Sequence, residues 1–472
     1  MNVTNLKQNS ISHAQPFTIV NVAQQGVCVG CGACAVVDQN VKLVRNSFGA
    51  MVADFSAIAN LADSPADSVC PFSDNSQNED FLGKLIYQDS EHYDQRVGYY
   101  SSIYSGRRVS EDTLLNSSSG GLTSYVATEL LKQGHVDGII HVGKNQSADN
   151  DALFSFVVSY SEAEADKHKK SQYYSLSFDA VLKQVRGDGK RYVFVGVPCF
   201  IKALRNIALH DEVLAKQISF TLGLVCGHLK SSAFAELLSW QLGVKPEALK
   251  AVDFRKKNKS STVNAYDFMA TDHAGNSYAK TSARMFGGGW GYATFQLEAC
   301  DYCDDIFAET ADAVFGDAWL PQFNTYWQGT NIVLVRNKVI DSILNTAKIS
   351  QQIVLENLAI DDLCLSQQGN FRHRREGLVV RLHDDVNAGK AIPRKRVNLD
   401  TIKAIAKKRI ALVRLRRTMA RESHGFFYEA KKQGDLNFFI NKMTPLKDKM
   451  DRFYKPNLFI RAFRKARRIL GI

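Results

Sequence analysis

Between about residues 110 and 335 the hydrophobic positions switch repeatedly between helical and strand spacing. Tyr125, Val126, Glu129 and Leu130 follow a helical period, so a helix is expected from near Gly121, with Ser117–Ser119 able to cap it. Asp137–Gly138 then leads into a strand at Ile139–Val142. A helix near Phe178–Val185 precedes the β-rich run Tyr192–Val197, and Pro198–Cys199 opens a further helix through Leu204. Ile218–Cys226 again reads as strand and Ala233–Leu242 as helix. This βαβ rhythm predicts an α/β domain, a sheet covered by helices. Upstream, the polar stretch Gln88–Arg108 reads as a connector, and residues 1 to about 80 contain few long periodic segments. From about residue 391 onward the pattern is helical. Lys403, Lys407, Arg414, Arg417 and Arg421 share one stripe, and Ile405, Leu412 and Met419 another. The pattern divides the chain into a small N-terminal module (1–85), a large α/β domain (96–380) and a basic helical extension (391–472).

Composition changes this picture little, but charge does. At 472 residues, with 45% hydrophobic and 23% charged residues, the chain is of ordinary globular make-up. Its net charge of +11 is unevenly spread. Residues 391–472 carry 23 Lys+Arg against 6 Asp+Glu, leaving 36 against 42 for residues 1–390. The body is therefore mildly acidic and the extension strongly basic. The polar start and the short apolar runs predict a cytoplasmic protein with neither a secretory signal nor a membrane span.

Nine cysteines in a chain of this kind point to metal or redox chemistry rather than disulfides. Cys28, Cys31 and Cys34 form a C-x2-C-x2-C run, and Cys70 is followed by Pro71. Three thiolates so spaced can wrap three corners of a [4Fe-4S] cubane, with a remote Cys-Pro supplying the fourth. Gly30 and Gly32 allow the tight curl that turns backbone amides toward the sulfurs. Zinc is the alternative, although zinc sites more often use separated pairs. The spacing thus predicts a ferredoxin-like module on Cys28, Cys31, Cys34 and Cys70. It is not a two-cluster one, because no further cysteine closely follows Cys34.

Cys199 follows a strand and starts a helix, where the positive helix end favours a thiolate. Cys226 ends the next strand, and Cys300 and Cys303 form a C-x2-C pair. Ser118–Ser119–Gly120–Gly121, Gly196–Val197–Pro198–Cys199, Val225–Cys226–Gly227–His228, Phe254–Arg255–Lys256–Lys257, Cys300-x2-Cys303 and Gly316–Asp317–Ala318–Trp319 follow one another in a distinctive order. In these motifs, over about residues 24–335, the chain resembles the coenzyme F420 hydrogenase/dehydrogenase beta-subunit family, relatives of 7-hydroxymethyl chlorophyll a reductase.

The resemblance implies an iron–sulfur flavoprotein oxidoreductase. It places a second [4Fe-4S] cluster on Cys199, Cys226, Cys300 and Cys303, and FAD at Ser118, Ser119, Gly120 and Gly121 with Ser171 and Tyr173. Electrons would pass between FAD, the clusters and a deazaflavin (coenzyme F420) or another two-electron substrate. One alternative is a ferredoxin-dependent reductase or an electron-transfer subunit serving a partner subunit, in a pathway such as surface-polysaccharide metabolism. The other is a zinc-stabilised binding protein. Gln172 stands where the family usually has a lysine, so the coenzyme need not be the family's own. No residue is singled out as acid or base catalyst, and Cys364 reads as an inert thiol. Arg372–His373–Arg374–Arg375 reads as a solvated turn in preference to an anion site. The basic extension is expected to touch an anionic membrane surface, with packing on the acidic body as its rival. No aromatic interleaving or motif points to nucleic acid.

Overall fold

The computed structural model describes residues 15–145 and 152–454. Its centre is an eight-stranded mixed sheet. In chain order the strands are β1 (Ser102–Arg108), β2 (Gly138–Lys144), β3 (Phe154–Ser159), β4 (Tyr192–Gly196), β5 (Ile218–Leu224), β6 (Ala313–Asp317), β7 (Asn331–Val335) and β8 (Ile353–Asn357). Their spatial order is β8-β1-β7-β6-β5-β4-β2-β3. The inner strands β2, β4, β5 and β6 run parallel. The remaining strands β3, β7, β1 and β8, of which β3 and β8 are the edges, attach antiparallel. Strands buried on both faces need helices on both, which is why β4 and β5 read as continuous apolar runs.

Helix α1 (Leu122–Lys132) begins one residue later than the apolar period suggests, with Gly121 as its N-cap at φ 78°. The serines expected to cap it are engaged elsewhere. Ser117 Oγ donates to Thr113 O, Ser119 Oγ donates to Thr330 O, and Ser118 Oγ accepts from Ser171 N. Helix α2 (Pro198–Ala208) opens with proline, whose fixed φ suits a first turn.

Two sequence expectations are corrected here. Gln88–Arg108 is not a connector: it holds two short strands, His92–Asp94 and Gly98–Tyr100, and then β1, which lies inside the sheet. Ser105 and Gly106 are polar or small because neighbouring chain passes close by. A Cβ on Gly106 would meet the Val354 carbonyl and the Leu355 and Leu122 side chains. The extension, for its part, is not helical throughout. Residues 391–406 are irregular apart from one 3-10 turn, and α3 (Lys407–Gln433) and α4 (Leu436–Tyr454) then form an antiparallel pair.

That pair is not a separate surface. Leu415, Met419, Phe427, Phe439 and Met443 share a core with Phe234, Phe254 and Phe295 of the body. The N-terminal module is likewise joined to the body, since Phe17, Val29, Val69 and Phe72 share a core with Phe178, Phe200 and Leu204. Among the described residues no helix is long and apolar enough to cross a membrane.

Candidate functional site

The first cysteine loop is shaped by two left-handed glycines, Gly30 at φ 72° and Gly32 at φ 93°. A Cβ on Gly30 would meet the Met51 carbonyl, and one on Gly32 the Ser177 hydroxyl. The curl turns amides inward. Gly30 N donates to Cys28 Sγ at 3.3 Å. Cys28 also receives the Ala53 amide, Cys31 those of Ala33 and Gly32, Cys34 that of Ala35, and Cys70 those of Phe72 and Ser73. Cys31, Cys34 and Cys70 are buried and Cys28 partly so. Burial raises all four thiols, Cys70 to about 12, and their mutual repulsion adds to it because the four stand together. We expect Gly30→Ala to cost roughly 1–3 kcal/mol through its left-handed backbone, with more from the clash at Met51. Thermal unfolding of the variant against wild type measures this.

The second set assembles from distant parts of the chain. Cys199 sits in the first turn of α2, Cys226 just beyond β5, and Cys300 and Cys303 around a 3-10 turn, Glu298–Tyr302. Cys199 feels Cys303, Cys226 and Cys300, and then Cys31 of the first set. The two sets are therefore neighbours. Leu229 N donates to Cys300 Sγ at 3.1 Å. Burial raises these thiols too, Cys226 to about 11. Among the described residues no three His, Cys, Asp or Glu side chains converge closely enough to hold a single metal ion. Cys364 belongs to neither set; it is buried near Arg96.

The loop bearing Cys300 and Cys303 is strongly acidic, and arginines from beyond residue 370 clamp it. Arg417 pairs with Asp301, Asp385 and Glu298, and Arg421 with Glu298. Arg381 Nε donates to Asp301 O, Arg375 to Asp304 O, and Arg396 pairs with Asp304 and Glu309. Three of the five stripe residues, Arg414, Arg417 and Arg421, are thus spent on the body, Arg414 on Asp384. Of the two readings of the extension, packing on the acidic body is the one seen for these residues. Residues 455–472 of the same extension lie outside the described residues.

A third correction concerns Arg372–His373–Arg374–Arg375. It is not a solvated turn. His373 is buried and Arg374 is only 1% exposed. Arg374 hydrogen-bonds Cys226 and lies closest in charge to Cys303, Cys226 and Cys300. Nothing in the local sequence signals this, because the burial is imposed by helices packed from elsewhere.

A cavity of about 310 Å³ opens at the carboxyl edge of the parallel strands, where α/β sheets bind ligands. Ser118, Ser119, Gly121, Ser171 and Tyr173 line it, as does Cys226. Gly120 lies behind the wall, pressed against Gly106 O and Asn331. The sequence reading missed the other wall. His228 stacks on Trp290 at 4.3 Å, and the Lys230 ammonium lies over the same indole at 4.9 Å. Burial lowers Lys230 to about 7 and holds His228 neutral. Arg255 Nη1 donates to Asp317 at 2.9 Å, while among the described residues its Nε and Nη2 have no partner of good hydrogen-bond geometry. Gln172 Oε1 and His228 Nε2 are likewise buried and unpaired among the described residues. Lys169 and Lys170, which line the cavity beside Gln172, are the neighbouring cations there, and Lys170 is tied to Asp253 at 2.6 Å.

The N-terminal model of the coenzyme F420 hydrogenase/dehydrogenase beta subunit matches residues 103–183, and the C-terminal model residues 189–360. The chain belongs to this family. The matched segments hold the cavity and the second cysteine set; Cys28, Cys31, Cys34 and Cys70 fall outside them. The coenzyme F420-dependent sulfite reductase of Methanocaldococcus jannaschii is 22% identical over 353 residues, 71% of this chain and 48% of that protein. The chain thus spans about half the length of this relative. A chain of the F420-reducing [NiFe] hydrogenase complex from Methanosarcina barkeri superposes with a TM-score of 0.48 at 18% identity, covering 65% of this chain and 99% of that one.

Proposed function

We propose that this member of the family is an iron–sulfur flavoprotein that carries electrons between a redox partner and a two-electron substrate bound at the carboxyl-edge cavity. The observation that carries the reading is continuity. The first thiol set reaches the second through Cys31 and Cys199, and the second reaches the cavity through Cys226.

The residues fit the groups proposed for them. Four thiols with seven backbone amides turned on them suit a cubane cluster at Cys28, Cys31, Cys34 and Cys70. Cys199, Cys226, Cys300 and Cys303 would hold a second. FAD suits the cavity. Ser118, Ser119 and Gly121 present a loop and the start of α1 to an anionic group, and Tyr173 and Trp290 offer aromatic faces. The unpaired Arg255 and His228 nitrogens and Gln172 oxygen await polar partners there. A flavin so placed exchanges electrons in pairs with the substrate and singly with iron–sulfur centres. The protein's share is to hold that order of sites, to exclude water and to supply the fixed charges.

Coenzyme F420 is the first substrate to try, because the family and the Methanocaldococcus relative carry its name. A ferredoxin or a partner subunit is the corresponding one-electron partner. The test is anaerobic purification with a visible spectrum and assays for iron, acid-labile sulfide and flavin. A brown, flavin-containing protein with iron and sulfide in equal amounts is expected, and its flavin should be reduced on adding reduced F420. A colourless, zinc-loaded protein would sink the reading. A coloured protein inert toward F420 would move the substrate elsewhere, with Gln172 as the first place to look.

A further inference from the structure

An arginine cannot shed its proton in a protein, so a fully buried one needs an anion or a full set of acceptors for its donors. Arg374 is 1% exposed, and its Nε and Nη1 find no partner among the described residues. The other buried arginines of this region are satisfied: Arg381 has Asp301 and Arg417 has Asp385 within 4 Å, and Arg336 donates to the carbonyls of Val97, Tyr99, Ala308 and Ala311. The charges nearest Arg374 are instead the sulfurs of Cys303, Cys226 and Cys300, followed by Asp305. Three neutral thiols would leave the guanidinium uncompensated.

We propose that Arg374 is the fixed counter-charge of an anionic iron–sulfur centre on Cys199, Cys226, Cys300 and Cys303, and that it holds this centre's reduction potential above that of the first. The proposal rests on the two-cluster reading given above. Adding an electron makes such a centre more negative, and a buried cation beside it stabilises the reduced form over the oxidised one.

Among the described residues the first set shows no equivalent. Its sulfurs meet backbone amides and one another, and the charged group beside Cys70 is the carboxylate of Asp67, which acts in the opposite sense. The second set also has acidic neighbours, Asp304 and Asp305 at Cys303 and Asp305 at Cys226. Asp304 is paired with Arg396 at 3.1 Å and with Lys395 at 3.9 Å, and Lys395 itself lies near Cys303. Lys230 lies near Cys300. With Asp304 so paired, Arg374 faces the second set against Asp305, whereas the charge beside the first set is the carboxylate of Asp67 alone. Electrons entering at Cys28–Cys70 would run downhill toward the cavity.

The experiment is an anaerobic redox titration of the iron-loaded protein, followed by electron paramagnetic resonance. Wild type should show two midpoints, and the higher should survive in Cys70→Ser, where the first set is broken. In Arg374→Gln the higher midpoint should fall by at least 59 mV, a tenfold shift of a one-electron equilibrium, with the lower one unmoved. Arg374→Lys, which keeps the charge, should fall by less than that. An unmoved midpoint in Arg374→Gln, an equal fall of both, or loss of the higher signal in Cys70→Ser overturns the proposal. Should Arg374→Gln fail to retain iron, the order seen in wild type and Cys70→Ser decides. Iron content separates the two layers. About four irons per chain in wild type removes the two-cluster reading, and this proposal with it. About eight irons with the wrong order removes this proposal alone.

Discussion

Cys199→Ser should lose about half of the protein's iron and acid-labile sulfide and keep one cluster signal, because only one of two sets is broken. Cys199 sits in the first turn of α2, packed by the same core that carries Phe200 and Leu204. A serine there is nearly isosteric, so folding should survive, which circular dichroism checks. Cys34→Ser should lose the other half. The two deficits should add in the double variant, since each set has its own four thiols even though Cys199 and Cys31 are electrostatic neighbours. Unchanged iron in Cys199→Ser would remove that residue from the ligand set. Loss of all iron would mean that the sets cannot be loaded independently.

The largest effect on stability is expected at Arg417. Its side chain is 9% exposed, and it bonds Asp385 with both terminal nitrogens, at 2.9 and 2.7 Å. Its Nε lies 3.0 Å from Asp301 and its Nη2 2.9 Å from the Tyr302 hydroxyl. Removing one member of such a group leaves buried carboxylates uncompensated, which costs about 3–5 kcal/mol. Arg417→Ala should therefore lower the urea midpoint strongly. Asp301 and Tyr302 are the two residues between Cys300 and Cys303, so the variant should also load less iron at the second set. In Arg417→Met/Asp385→Leu part of the lost stability should return, because one orphaned charge goes with its partner. If Arg417→Ala costs under about 1 kcal/mol, the pair behaves as a surface contact and the clamp is not structural.

The sequence alone determined what depends on local spacing. The Cys28–Cys34 run and its two glycines dictate a curled loop of thiols whichever protein carries them, because that geometry needs only seven consecutive residues. The buried strands Tyr192–Gly196 and Ile218–Leu224 and the helix opened by Pro198 were legible for the same reason. Family motifs marked the second set without explaining how it comes together. Tertiary structure decided the rest. The strand Ser102–Arg108 looked like linker because its small and polar side chains answer to neighbours far away in sequence. Arg374 and Arg417 looked like surface charge, and no neighbouring residue says otherwise. What buries them is an acidic cysteine loop about 70 to 120 positions earlier, brought against them by the packing of the C-terminal helices. The charge of a residue is written locally, but the medium in which it acts is set by the whole fold. That is why an extension whose sequence shows only basic helical stripes packs on the second thiol set.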